Sequence, residues 1–147
     1  MSDDWKNSVW YDILPYLPPA EKGNKIWYSH ESTKCDRQIF QELGYKLFPR
    51  DPDFYSSLKW RKADLVLSYP PESELVTVLV HLKCDQDKPF IVCMDRYKRY
   101  EKNISIIFKN DPKLTVVQPF KRNKKTFSLS SLHSPYVYFF YNCEVNC

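Results

Sequence analysis

The sequence predicts an α/β domain with a mostly parallel sheet, helices on both faces and an antiparallel strand near the C-terminus. Two runs, residues 65–67 and 89–94, are almost continuously apolar, as strands buried on both faces are. Amphipathic helical patterns at residues 33–43 and 73–83 each follow a short β-prone run. The length of 147 residues fits a single domain, residues 1–147.

The first half of the chain supplies two strands and two helices. Apolar residues at three- and four-residue steps predict a short N-terminal helix that Pro15 ends and that covers the first strand. Residues 25–28 are that strand, and residues 33–43 form a helix that Gly44 stops. Residues 45–48 form a second strand, because the prolines and acids at 49–53 prevent its continuation.

The second half begins with the central strand at 65–67. Residues 73–83 follow as a helix with Ser73 as its N-cap, and residues 89–94 form a buried strand that ends at Asp95. Residues 97–108 have helical spacing among basic side chains, although this pattern is ambiguous. Residues 114–117 and 136–141 are closing strands joined by a polar stretch, residues 121–134.

Composition limits the classes of function. Only two glycines argue against a Gly-rich phosphate loop, and a net charge of +4 is below the basic footprint of a dedicated nucleic-acid binder. No secretory signal and no membrane span are expected. The three histidines lie far apart in the sequence, and none has a second ligand at the spacing typical of a metal site. The five cysteines lack paired spacing, which indicates reduced thiols in an intracellular compartment. Cys143 and Cys147, near the C-terminus, are the expected exceptions to the reduced state.

The most informative stretch is residues 63–73, where a buried strand ends in Tyr69, a double proline and Glu72. Ile26 and Trp27 open the first strand, residues 43–45 read Leu-Gly-Tyr, and residues 51–54 read Asp-Pro-Asp-Phe. In this order the motifs resemble the class I S-adenosylmethionine-dependent methyltransferases, and within them the short adenine-specific DNA methyltransferases of phages and large DNA viruses. The resemblance covers about Trp5 to Tyr141 and implies a Rossmann-like fold.

The motifs of that family are degenerate here. The resembled enzymes hold the extruded base with an Asn or Asp and an aromatic residue, where this chain has Tyr69 and Glu72. Ser32, Lys34 and Arg37 stand where glycines approach the cofactor. The resemblance therefore implies a vestigial catalytic motif and a vestigial cofactor site, and no bound cofactor. The vestigial catalytic residues are Ser68, Tyr69, Pro70, Pro71 and Glu72, and the vestigial cofactor residues are Asp51, Asp53 and Phe54.

Three functions remain open. The first is a catalytically degenerate protein that binds other proteins in an assembly; the resemblance implies a viral setting, in the host cytoplasm or nucleus or in the virion. The second is a divergent but active methyltransferase that uses S-adenosylmethionine. The third is a basic nucleic-acid-binding module, in which cations interleaved with aromatics contact phosphates and stack on bases. Its candidate residues are Arg96, Lys98, Arg99, Lys121, Arg122, Lys124 and Lys125.

Two structural expectations follow. Lys34 or Arg37 should fill the vacated cofactor pocket and pair with Asp51 or Asp53. With 16% aromatic residues, the chain should also keep an exposed aromatic patch for a partner. The expected members of the patch are Trp5, Trp10, Tyr11, Tyr16, Tyr55, Trp60, Tyr97 and Tyr100.

Overall fold

The computed structural model describes residues 3–21, 25–30, 35–50, 53–55, 58–86, 88–122 and 129–146. The strands are β1 (Lys25–Ser29), β2 (Lys46–Leu47), β3 (Leu65–Ser68), β4 (Phe90–Asp95), β5 (Leu114–Val117), β6 (Phe120–Arg122), β7 (Leu129–His133) and β8 (Tyr136–Tyr141). The α-helices are α1 (Asp36–Glu42), α2 (Leu75–Val80) and α3 (Lys102–Ile107). A π-helical turn follows α2 at His81–Gln86, and 3₁₀ turns lie at Asp3–Asn7, Tyr11–Tyr16, Lys59–Lys62, Glu72–Glu74 and Arg96–Tyr100.

Six strands form one sheet in the order β2-β1-β3-β4-β8-β5. The pairs β1–β2, β1–β3 and β3–β4 are parallel, whereas β8 is antiparallel to both β4 and β5. Ser29 lies opposite Ser68, and Ser68 opposite Val92, so the carboxyl ends of β1, β3 and β4 meet at one edge. The predicted mostly parallel sheet and its antiparallel strand near the C-terminus are confirmed.

Helices cover both faces of the sheet, as predicted. Side chains alternate along β1: Trp27 packs with α2 and α3, while Ile26 and Tyr28 pack with the N-terminal turns and α1. The short helices are stabilised mainly by this burial, because isolated helices of six or seven residues are too short to persist in water.

Gly44 ends α1 as predicted. Its φ of +98° lies in the left-handed region, which a residue without Cβ adopts without strain. The amides of Gly44 and Tyr45 then donate to the carbonyls of Gln41 and Phe40, at 3.0 and 3.1 Å. The turn points the chain back into β2.

Four local predictions need correction. The N-terminal segment forms two 3₁₀ turns rather than an α-helix, since Pro15 lies inside the second and supplies no amide donor. Ser73 is not an N-cap, because it lies within the 3₁₀ turn Glu72–Glu74 and no side chain caps α2. The helix predicted at residues 97–108 is split by Glu101, whose ψ of 136° is extended. The polar stretch 121–134 contributes to the hairpin β6–β7.

Candidate functional site

A cleft of about 430 Å³ opens at the carboxyl edge of the sheet. We call it the edge cleft. Residues just after β1 and β3 and the last residues of β4 form its floor, and the 3₁₀ turn after β3 forms one wall, as expected for the crevice outside the carboxyl ends of parallel strands. Its lining includes four residues of the predicted vestigial motif: Tyr69, Pro70, Pro71 and Glu72. The predicted motif therefore lies at the carboxyl edge of the sheet.

Tyr69 takes the position at which the resembled enzymes carry an Asn or Asp. Its half-buried ring packs edge-to-face on Tyr136, with the ring centroids 5.9 Å apart. Burial, and then the neighbouring Tyr136, Cys93 and Asp95, raise the pKa of the Tyr69 phenol. Its hydroxyl sits at the end of a long ring, too far from the backbone to take the place of the short Asn or Asp side chain of the resembled enzymes.

Glu72 takes the position of the stacking aromatic. Its exposed carboxylate accepts a hydrogen bond from Lys98 Nζ, which also donates to Glu101 Oε1 at 2.8 Å. Hydrogen bonds to Glu101 and Glu72 raise the pKa of Lys98. Lys98, predicted as a nucleic-acid contact, thus has its charge engaged by two carboxylates of this chain.

His30 is the residue in the cleft that sequence reasoning missed. It follows β1 with a φ of +54°, and its Nδ1 lies 3.0 Å from Ser68 Oγ and 3.3 Å from Ser29 Oγ. Burial lowers the pKa of His30, an effect that Glu74 opposes. Ser68 is completely buried and therefore orients the imidazole rather than meeting a ligand. The sequence signal that could have identified His30 is its position directly after a buried strand that ends at this edge of the sheet.

Phe54, predicted as a vestigial adenine contact, is 5% exposed and belongs to the hydrophobic core. Tyr55 stacks on its ring at 5.2 Å, and Trp27 and His30 pack against it edge-on at 5.1 and 5.0 Å. Phe54 therefore packs against the aromatic rings of its own chain. Asp53 is exposed beside it.

The expected filling of the cofactor pocket is described only for Arg37. Its guanidinium donates a hydrogen bond to the carbonyl of Phe48, which follows β2 directly. The side chain thus reaches from α1 to the end of the second strand. Ser32, Lys34 and Asp51 lie outside the described residues, so the predicted pairing of Lys34 remains a prediction.

The two predicted basic stretches meet in an open groove of about 730 Å³, which we call the basic groove. Arg96 and Tyr97 line one side, and Lys121 and His133 of the β6–β7 hairpin line the other. The Arg96 guanidinium donates to the Tyr97 hydroxyl at 3.0 Å and lies over its ring at 5.0 Å. Asp95 lines both cavities, so the groove and the edge cleft are neighbours.

The remaining basic candidates point elsewhere or are not described. The Arg99 guanidinium lies over the Tyr100 ring at 5.1 Å, on another surface. The Arg122 guanidinium lies over the Tyr11 ring at 4.8 Å, and its backbone amide donates to Asp12 Oδ1. Lys124 and Lys125 lie outside the described residues. Of the seven candidates, Arg96 and Lys121 are the pair brought together across the groove.

A buried carboxylate ties the N-terminal turns to the first strand. Asp36, the first residue of α1, is 0% exposed and accepts hydrogen bonds from Ser8 Oγ at 2.6 Å and from the Tyr28 hydroxyl. That hydroxyl in turn accepts a hydrogen bond from Trp10 Nε1 at 2.9 Å. Sequence analysis did not identify this network, because its members are up to 28 residues apart.

The predicted aromatic patch is wrong in its N-terminal part. Trp5, Trp10 and Tyr11 are 6%, 0% and 3% exposed, buried against the chain's own core. Tyr97 and Tyr100 are 70% and 76% exposed, as expected. Among the other members, Tyr55 is 40% exposed, and Tyr16 and Trp60 are half-buried. The exposed aromatics therefore centre on the turn that follows β4.

Other site classes gain no support from the described residues. No group of three or more His, Cys, Asp and Glu side chains there is placed to hold a metal ion. Cys84, Cys93 and Cys143 are free thiols, and Cys147 is not described. In the part of the chain that the structure covers, no helix has both the length and the apolar character that a membrane crossing requires. Comparison with protein-family models, curated proteins and solved structures found no match.

Proposed function

We propose that this chain is a Rossmann-like, class I methyltransferase-like domain that no longer transfers methyl groups and serves as a binding component of an assembly. The observation that carries the proposal is the identity and the contacts of the side chains at the two motif positions after β3, Tyr69 and Glu72. The Tyr69 ring, packed on Tyr136, and a Glu72–Lys98 ion pair stand where the resembled enzymes hold an amine and stack a base.

The surroundings of the motif support the same reading. Phe54 is packed by rings of its own chain, and Arg37 occupies the end of β2, where the resemblance places a cofactor. The antiparallel β8 between two parallel strands agrees with the reversed strand expected near the C-terminus. The viral, intracellular and virion-associated setting is part of the proposal and rests on the resemblance alone.

Isothermal calorimetry with S-adenosylmethionine and S-adenosylhomocysteine tests the proposal. We expect no binding heat for the purified protein with either compound. The matched variant Tyr69→Asn/Glu72→Tyr restores the two motif positions, and we expect it also to stay silent because the cofactor loop remains altered. Saturable binding by the unaltered protein, with methyl transfer to adenine-containing DNA, would establish the divergent enzyme instead.

Nucleic-acid binding is the second candidate function, and the basic groove favours it. Arg96 and Lys121 flank the groove, while Tyr97 and His133 offer exposed rings within it. Cations that neutralise phosphates, combined with rings that stack on bases, are the means by which single strands are bound without sequence preference. The open shape of the groove suits an extended strand.

Fluorescence anisotropy with a labelled single-stranded oligonucleotide at several salt concentrations tests this candidate. The double variant Arg96→Ala/Lys121→Ala should weaken binding and reduce the slope of log affinity against log salt by roughly two. The charge-matched control, Lys46→Ala/Lys62→Ala, removes exposed cations of β2 and of the 3₁₀ turn before β3 and should leave binding nearly unchanged. Equal losses in both variants would indicate non-specific attraction to the net charge.

A further inference from the structure

The outer edge of β5 offers unpaired backbone. β5 ends the six-stranded sheet and pairs with β8 on one side, and within the described residues no strand pairs with its other side. Edge strands present a row of N–H and C=O groups that accept a further strand. Thr115, in the middle of β5, is exposed.

An apolar pocket of about 260 Å³ lies beside this edge. Leu114 and Val116 line it from β5, and α3 contributes Ile104. Because alternate residues of a strand share one face, Leu114 and Val116 place the pocket on the α3 side of the sheet. Phe108, Phe139 and the 76% exposed Tyr100 complete the apolar lining. A strand added next to β5 would direct every second side chain toward this pocket.

The charges around the edge are mostly positive. Arg99 lines the pocket, and Lys102, Lys109 and Lys113 are exposed on α3 and on the turn that leads into β5. The nearby acids are engaged, because Asp111 pairs with Lys83 at 3.0 Å and Glu101 with Lys98 at 2.8 Å. An approaching segment therefore meets cations whose charge is not balanced locally.

We propose that the β5 edge binds an extended, acidic segment of a partner protein by strand addition, with a large apolar side chain of that segment seated in the pocket. Main-chain hydrogen bonds to β5 supply affinity, and the pocket and the cations supply selectivity. The inference rests on the proposed role of the chain as a binding component of an assembly.

Binding of short synthetic peptides tests the inference. The probes are fluorescent heptapeptides that alternate acidic residues with β-branched residues and carry Leu, Phe, Tyr or Trp at the centre. We expect saturable binding of at least one aromatic member, a loss of tenfold or more in Tyr100→Ala, and weakening by Arg99→Glu. Tyr97→Ala is the matched control. Tyr97 lies in the same turn and is similarly exposed, but it lines the basic groove and not the pocket.

Peptides methylated on alternate backbone nitrogens keep their side chains but lose the strand-forming amides, and they should not bind. The inference is overturned if no probe binds at millimolar concentration, or if the peptide affinity is unchanged by Tyr100→Ala or by backbone methylation. It is also overturned if sedimentation shows a dimer that Tyr100→Ala dissociates, since a second copy then occupies the edge. Cofactor calorimetry reports separately on the proposed function, so the two failures are distinguishable.

Discussion

The 3₁₀ turns at Tyr11–Tyr16 and Arg96–Tyr100 are of similar length, and both are rich in aromatic residues, yet their surroundings are opposite. Beside and within the first turn, Trp10, Tyr11 and Ile13 are at most 3% exposed. In the second, Tyr97 and Tyr100 are 70% and 76% exposed. The difference decides which aromatics are available to a partner.

Position in the fold explains the difference. The first turn lies across a face of the sheet, where Trp10 Nε1 and the Tyr138 hydroxyl find hydrogen-bond acceptors inside the core. The second turn follows β4 beyond the sheet edge, and each tyrosine has an arginine over its ring. Aromatic content alone therefore does not identify an interaction surface.

The largest effect should come from Trp10→Ala. Trp10 is fully buried and packs against Tyr28, Phe40 and Tyr138. Its removal leaves a cavity and leaves the Tyr28 hydroxyl without the donor that it accepts from. We therefore expect the free energy of unfolding to fall by about 3–5 kcal/mol. Urea denaturation measures the change. A loss comparable to that of a surface substitution would mean that the N-terminal turn detaches readily and can expose its aromatics.

Tyr28→Phe should have the next largest effect. The substitution keeps the ring but removes the hydroxyl that joins Trp10 to the buried Asp36. We expect a loss of roughly 1–3 kcal/mol, the cost of leaving buried polar groups without this partner. The same denaturation experiment on Tyr97→Phe is the control, which should be close to neutral because that hydroxyl lies at the surface.

A pH dependence should arise at His30, in the edge cleft. Burial holds the pKa of folded His30 below its ordinary value of 6.5. As the pH falls through 6.5, the unfolded chain binds a proton that the folded chain does not yet bind, so stability declines until folded His30 also titrates. His30→Asn tolerates the left-handed backbone and should show a smaller decline. An unchanged pH profile in the variant would contradict this assignment.

The smallest effects should come from Tyr97→Ala and Tyr100→Ala. Both side chains are largely exposed, so each substitution should change the free energy of unfolding by no more than about 0.5 kcal/mol. Their binding effects should separate, with Tyr97→Ala weakening oligonucleotide binding and Tyr100→Ala weakening peptide binding. Substantial destabilisation by either variant would show that the turn supports the core after all.

The parts of the fold that sequence predicts depend on local signals. Continuous apolar runs mark β3 and β4, Gly44 marks the end of α1, and the alternation of strands with helices implies the parallel pairing. Most of the edge cleft is lined by residues at or just after the ends of these strands.

The rest depends on residues that are distant in sequence. The burial of Trp10 is favoured by Tyr28, Phe40 and Tyr138, which a local pattern does not bring together. The basic groove forms because β8 pairs with β4, and the chain before β8 carries Lys121 toward Arg96. The hairpin β6–β7 was missed because its sequence is polar and lacks a glycine turn.

The position of β8 has a consequence for synthesis on the ribosome. Both of its neighbours, β4 and β5, precede it in the chain, so neither can complete its pairing until residue 141 has emerged. A nascent chain that stops before Tyr136 leaves the edge of β4 open and β5 without its partner, and such edges recruit other chains. Folding of the sheet is therefore completed only after this strand has emerged, and the growing polypeptide is most exposed to aggregation just before it appears.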